Sequence, residues 1–265
     1  MLNKAKIDLL NFGLKFVSVD DKLVRLFLET VPKDLHEIVI LPVSKTTMKE
    51  FVTRMGKSHQ QHGLVHNGLI NGVPVSTIRC QMGAPYAAIV MECLKRAGVK
   101  KVIRCDYAGS LSDRVNLGDL IVPEQAIGAE GTTPNYITPS EPAGKPSTFN
   151  GSQAITTDLL TSAKELGCTC HKVKIVSTDA LFRETTDKIA AWQTAGADAV
   201  DMETSALYCL GDLFSILTGA ILAISDKPGS EYDLFHSNKI HENLVSSLKS
   251  AIDVVAKALP KIKNL

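Results

Sequence analysis

The sequence has almost no net charge. Its 29 Lys and Arg stand against 28 Asp and Glu, a formal +1, so nothing marks a nucleic-acid or membrane-surface binder. It also lacks any apolar run of the roughly 20 residues that a bilayer span needs. The apolar patch after Met1-Leu-Asn-Lys-Ala-Lys-Ile-Asp8 is short and broken by Lys and Asp, so no signal peptide is expected and a cytoplasmic location is. The six cysteines, Cys80, Cys93, Cys105, Cys168, Cys170 and Cys209, follow no framework spacing and lie mostly in apolar runs. They read as reduced thiols rather than disulfides. Cys168-Thr-Cys170-His171 has no second ligand pair, so no metal is expected. A Gly-x-Ser-x-Gly elbow is absent, which disfavours a serine hydrolase. The glycines between residues 105 and 118 do not form a dinucleotide fingerprint. No linker-like gap, repeat or low-complexity segment divides the chain.

What is present is an alternation of strands and helices over 265 residues, enough for one large α/β domain. Apolar runs predict strands at 37–42, 75–80, 99–105, 117–123, 172–179 and 219–226. Helical spacing predicts helices at 48–56, 86–97, 154–166, 186–195 and 240–258. Asn71-Gly72 predicts a hairpin turn. Residues 130–152, rich in Gly, Pro, Ser and Thr, predict a long loop of the kind that often carries function. The expected fold is a single-domain, three-layer α/β/α arrangement over 36–265, with a central mixed, mostly parallel twisted sheet. Residues 1–35 read as an N-terminal helical extension.

The stretch from Ala199 to Tyr208 organises this pattern. Asp201 and Glu203 flank Met202 where a buried helix begins, a costly place for charge unless something binds it. A strand-like run from Gly219 ends in a third carboxylate, Asp226. Strands that deliver acids to one edge are how open α/β sheets build active sites. The plainer alternatives are a helix-start carboxylate held by the dipole at Glu203, a cap at Asp201, and a strand-end turn at Ser225-Asp-Lys-Pro228.

Gln81-Met-Gly-Ala-Pro-Tyr-Ala-Ala-Ile-Val90, Val102-Ile-Arg104, Gly118-Asp-Leu-Ile-Val-Pro123, Glu130-Gly-Thr-Thr133, Ser177-Thr-Asp179, Val200-Asp-Met-Glu203 and Ile224-Ser-Asp226 occur in this order. As an ordered set over residues 36–258 they resemble the nucleoside phosphorylase family. That family includes purine nucleoside and uridine phosphorylases, methylthioadenosine nucleosidases and the catalytic domain of AMP nucleosidase. The resemblance implies a phosphorylase-like fold and cleavage of an N-glycosidic bond. It implies that Glu203 holds ribose hydroxyls, that Met202 packs on the sugar, and that Asp226 protonates a purine at N7. Asp201 either caps the helix or faces the base. Met82 and Gly83 belong to the substrate site, and Phe182 or Leu181 stacks on the base. Arg183 either reads a base carbonyl or pairs with Glu184 or Asp187. Lys239 is a candidate helper for Asp226. Phosphate is the expected co-substrate, with no other cofactor, and a homo-oligomer, from dimer to hexamer, is the expected assembly.

The phosphate side departs from the family. Where members carry Gly-Asp-Pro and then Arg, this chain reads Pro42-Val-Ser-Lys-Thr-Thr47, with Val43 for the Gly and Thr47 for the Arg. Lys45 and Ser44 are the substitutes at hand, and a neighbouring subunit's phosphate Arg falls near Gln61. Arg104 matches a phosphate ligand, but Asp106-Tyr107 stands where the family has a small hydroxyl pair. Asp106 is thus expected to oppose phosphate, or to pair with Arg104 and neutralise it, with Tyr107 filling the space. Three readings follow: phosphorolysis of a purine or uridine nucleoside, hydrolysis of the AMP-nucleosidase kind, or a nucleoside-binding homologue without turnover.

Overall fold

The computed structural model describes residues 4–137, 147–233, 238 and 241–265. Two helices, α1 (Lys4–Leu14) and α2 (Val19–Leu28), precede the first strand, β1 (Ile38–Leu41). After β1 come α3 (Lys45–Met55), β2 (Gln60–His62), β3 (Val65–Ile70), β4 (Val73–Ile78), α4 (Ala84–Arg96), β5 (Lys101–Ser110) and β6 (Leu120–Ala129). The remainder is β7 (Thr148–Asn150), α5 (Gln153–Glu165), β8 (Cys170–Thr178), α6 (Thr186–Thr194), β9 (Ala199–Asp201), α7 (Thr204–Phe214), β10 (Leu217–Asp226) and α8 (Leu244–Lys263).

The Asn71-Gly72 pair does join a hairpin. Both residues have positive φ, 50° and 75°, and Ile70 pairs with Val73, as a type I′ turn requires. β2 and β3 form a second hairpin and β6 pairs antiparallel with β7, while the ladders β1–β4, β1–β5, β5–β10, β6–β8 and β8–β9 are parallel. The sheet is mixed, with β5–β10 and β6–β8 its longest ladders. It also closes on itself, because β10 bonds to both β5 and β6 while β9 bonds to both β8 and β5. Such closure is invisible in periodicity, since an apolar run looks alike in an open or a closed sheet.

Helices cover both faces. On one side α2, α4 and α7 contribute Val24, Leu28, Met91, Leu94, Leu207 and Tyr208 to one core. On the other, α3, α5 and α8 contribute Phe51, Ile155, Leu159, Ile252 and Leu259 to a second. Val24 and Leu28, on the segment before residue 36, are fully buried in the first core. Tyr208 is buried with its hydroxyl donating to the Pro123 carbonyl at 2.7 Å, so its polar tip carries no desolvation penalty.

The strand directions place the carboxylates. β10 runs parallel to β5 and sets Asp226 beside Gly109, at the end of β5. β9 runs antiparallel to β5, pairing Ser110 with Ala199 and Gly109 with Val200. The chain leaving β9 therefore heads back along β5, and Glu203 arrives beside Arg104 rather than at the strand end.

Candidate active site

Arg104 sits at the centre of a buried cluster. Its guanidinium meets Glu203 Oε2 at 2.6 Å and Asp201 Oδ2 at 3.0 Å. Burial opposes the charge on Arg104, but Glu203 and then Asp201 more than offset that, and its pKa is raised. Burial also raises the pKa of Glu203, against the pull of Arg104. Glu203 Oε1 accepts the Gly83 N–H at 2.7 Å. Gly83 has φ +103°, a backbone conformation that a side chain would strain. Asp201 accepts the Ser177 hydroxyl at 2.6 Å and the Thr204 N–H at 3.1 Å. The second bond satisfies the first N–H of α7, whose N-cap position is Glu203.

The expected Arg104–Asp106 pair does not form, because Arg104 is spent on Glu203 and Asp201. Asp106 instead turns to the start of α3. Its Oδ2 accepts the N–H groups of Val43 and Ser44, the latter at 2.6 Å, and its Oδ1 accepts the Tyr107 N–H at 3.1 Å. Burial raises the Asp106 pKa, opposed by Arg104 and these N–H groups. The half-buried Tyr107 meets this carboxylate through its backbone, while burial and Asp106 push its phenol up to about 12. Ser44 spends its hydroxyl on α3, accepting the Thr47 N–H at 3.0 Å, and Lys45 is exposed. Gln61 is exposed on β2.

Asp226 lies apart from this cluster. It lines a cavity of about 450 Å³ together with Leu181, Phe182, Glu184, Ile189 and Asp233. Its Oδ1 accepts the Ser225 hydroxyl at 2.6 Å. Burial raises its pKa, Ser225 opposes that, and Asp233 adds to it. Glu184 is pushed up to about 7, by burial first and then by Asp226 and Asp233. Phe182 is 79% exposed, with its ring at the rim.

The structure thus brings Asp226, Leu181 and Phe182 to one hollow, and Glu203, Asp201, Arg104 and Gly83 to another place. Glu203, Met202, Met82, Gly83 and Arg183 are not part of the wall of that cavity. Met202 is half-buried, and Met82 and Arg183 are exposed. Gly109 stands between the two groups, pairing with Asp226 on one side and Val200 on the other. Lys239 lies outside the described residues. Sequence reasoning missed Glu184 and Asp233 as wall residues. Glu184 had a signal, its place right after Leu181-Phe-Arg183, but it reads equally as a partner for Arg183.

Residues 37–260 match the sequence profile of the phosphorylase superfamily. The chain belongs to that family. Among its relatives is the guanosine phosphorylase of Halorubrum lacusprofundi, 25% identical over 84% of this chain and 94% of the relative. A DeoD-type purine nucleoside phosphorylase of Streptococcus pneumoniae is 32% identical over 61% of this chain and 66% of its own. Among solved structures, the purine nucleoside phosphorylase from Toxoplasma gondii in complex with immucillin-H superposes with a TM-score of 0.77. It is 21% identical, covering 89% of this chain and 95% of that one. The AMP nucleosidase from Bacteroides thetaiotaomicron gives 0.72 at 23% identity, over 92% and 96%. At such identities the two structures establish that the chain shares the family's fold.

Proposed function

We propose that this member of the family breaks the N-glycosidic bond of a purine nucleoside and releases the free base. Asp226 carries the reading. It is a buried strand-end carboxylate with a raised pKa, opening onto a cavity with an apolar wall of Leu181, Phe182 and Ile189. A flat heterocycle suits such a wall. A carboxyl whose pKa is raised by burial suits protonation of a departing base. Glu184, at about 7, is the neighbouring acid. On the sugar side the proposal keeps Met202 and Glu203. The Glu203 oxygens each have one described partner and so retain acceptor capacity for ribose hydroxyls. Glu203 lies outside the wall of that cavity, against Arg104; its proposed part is that a carboxylate brought near C1′ favours an oxocarbenium-like transition state.

The bond from C1′ to the base breaks, and its electron pair leaves with the base. Asp226 supplies a proton to the base. Water then bonds to C1′ through oxygen, and the proton it sheds restores Asp226. With phosphate in place of water the product is ribose 1-phosphate. The arrangement favours water, because Arg104 is paired to two carboxylates and Asp106 holds the Val43 and Ser44 N–H groups. Phosphorolysis is the second reading, favoured by the kinship with the guanosine and purine nucleoside phosphorylases. A panel of inosine, guanosine, adenosine and uridine, assayed for free base with and without phosphate, tests both. Purine release at one rate under both conditions is expected. Release that requires phosphate selects the second reading, and no release from any nucleoside removes both.

A further inference from the structure

We propose that Asp106 is an anion built into the chain, occupying the oxyanion seat at the start of α3 and so making water the nucleophile. The inference rests on the reading of the protein as a nucleosidic-bond-cleaving enzyme only for the word nucleophile; the occupied seat stands on geometry alone.

Backbone N–H groups at a helix N-terminus are a ready-made anion site. Here two of them, from Val43 and Ser44, converge on one oxygen, Asp106 Oδ2. Arg79 Nε donates to the Val43 carbonyl at 3.0 Å and steadies that loop from behind. Arg104 lies two residues before Asp106 on β5, hence on the same face of the strand. Its head is taken by Glu203 and Asp201. Its Nε is a buried N–H with no acceptor among the described residues, so one donor at this spot is left over even with Asp106 in place.

An incoming phosphate dianion would find both N–H groups engaged. It would also meet the carboxylates of Asp106, Glu203 and Asp201, all buried, against Arg104, which is paired to two of them, and Arg79, whose Nε is bonded to the Val43 carbonyl. Like charges packed together in a desolvated place exclude one another. Water, neutral and small, meets no such barrier. Shortening Asp106 reverses the balance: it frees the two N–H groups and removes one of the three carboxylates, with Arg104 two residues back on the same strand face. Asp106 is therefore a specificity residue whose loss should create phosphate binding.

The test is a titration of inorganic phosphate against wild type, Asp106→Ser and Asp106→Asn, read by melting temperature against sodium chloride at matched ionic strength and by equilibrium dialysis. Wild type should show no phosphate-specific shift. Asp106→Ser should gain one of about 2 °C or more and retain phosphate on dialysis. Asp106→Asn, which fills the seat but lacks the charge, should gain less than Asp106→Ser. If Asp106→Ser does not fold, wild type still decides, since phosphate binding by it overturns the proposal. A folded Asp106→Ser that gains no phosphate also overturns it. Because no turnover is needed, this outcome is separable from that of the nucleoside panel.

Discussion

Glu184 and Arg104 give the two sharpest tests of how charge is placed. The folded-state pKa of Glu184 lies near 7, above its ordinary 4.5. Its ionised form is therefore disfavoured in the fold. That costs nothing below pH 4.5, where the group is protonated in both states, and the cost grows as pH rises through 7. Glu184→Gln should melt at the same temperature as wild type near pH 4.5 and at a higher one at pH 8. A difference that is constant with pH would show that burial, with Asp226 and Asp233, does not raise the Glu184 pKa. Arg104 has the opposite role, as the sole cation joined to Glu203 and Asp201 among the described ion pairs there. Breaking a buried pair by removing one partner costs about 3–5 kcal/mol. Arg104→Met should lose that much at neutral pH in urea unfolding. It should lose less in acid, where Glu203, its pKa already raised by burial, takes a proton. A loss of less than about 1 kcal/mol would mean that the cluster is open to water.

At the scale of elements, α2 is packed into the first core. Leu28 is fully buried there, so Leu28→Ala should cost about 2–5 kcal/mol. A near-zero effect would mean that α2 rides on the surface. The strands and helices were legible in the sequence because their signals are local: apolar runs, caps, and Asn71-Gly72 at its turn. Asp226 was legible as a strand-end acid, whereas Leu181 and Phe182 were placed at the base by the family resemblance alone; they share a cavity with Asp226. Glu203 was legible as a carboxylate at the start of a buried helix, and by resemblance as the Glu of a Met-Glu pair, but its partners were not. Whether Glu203 joins Asp226 depends on the direction of β9 against β5, a long-range pairing that no local pattern records. The Arg104 partners were hidden for the same reason: Asp106 is two residues away in sequence, while Glu203 and Asp201 reach Arg104 only through that antiparallel turn-back.

For the whole molecule, the near-neutral charge leaves surface shape to decide association. Val19, Leu26 and Phe27 on α2 and Ile89 on α4 are exposed, and Phe27 and Ile89 line one shallow groove with Leu23. Exposed apolar area of this kind marks a contact surface. The proposal of a homo-oligomer then predicts a mass of at least two chains by light scattering, and Phe27→Glu should lower it. A wild type that stays at the mass of one chain removes that proposal. The account of function converges on Asp226 and the hollow it faces. Its most direct test is the rate of free-base release from inosine and guanosine by wild type and by Asp226→Asn, with both proteins shown to be folded by melting. A fall of about 100-fold or more is expected for the variant, and equal rates would contradict the account.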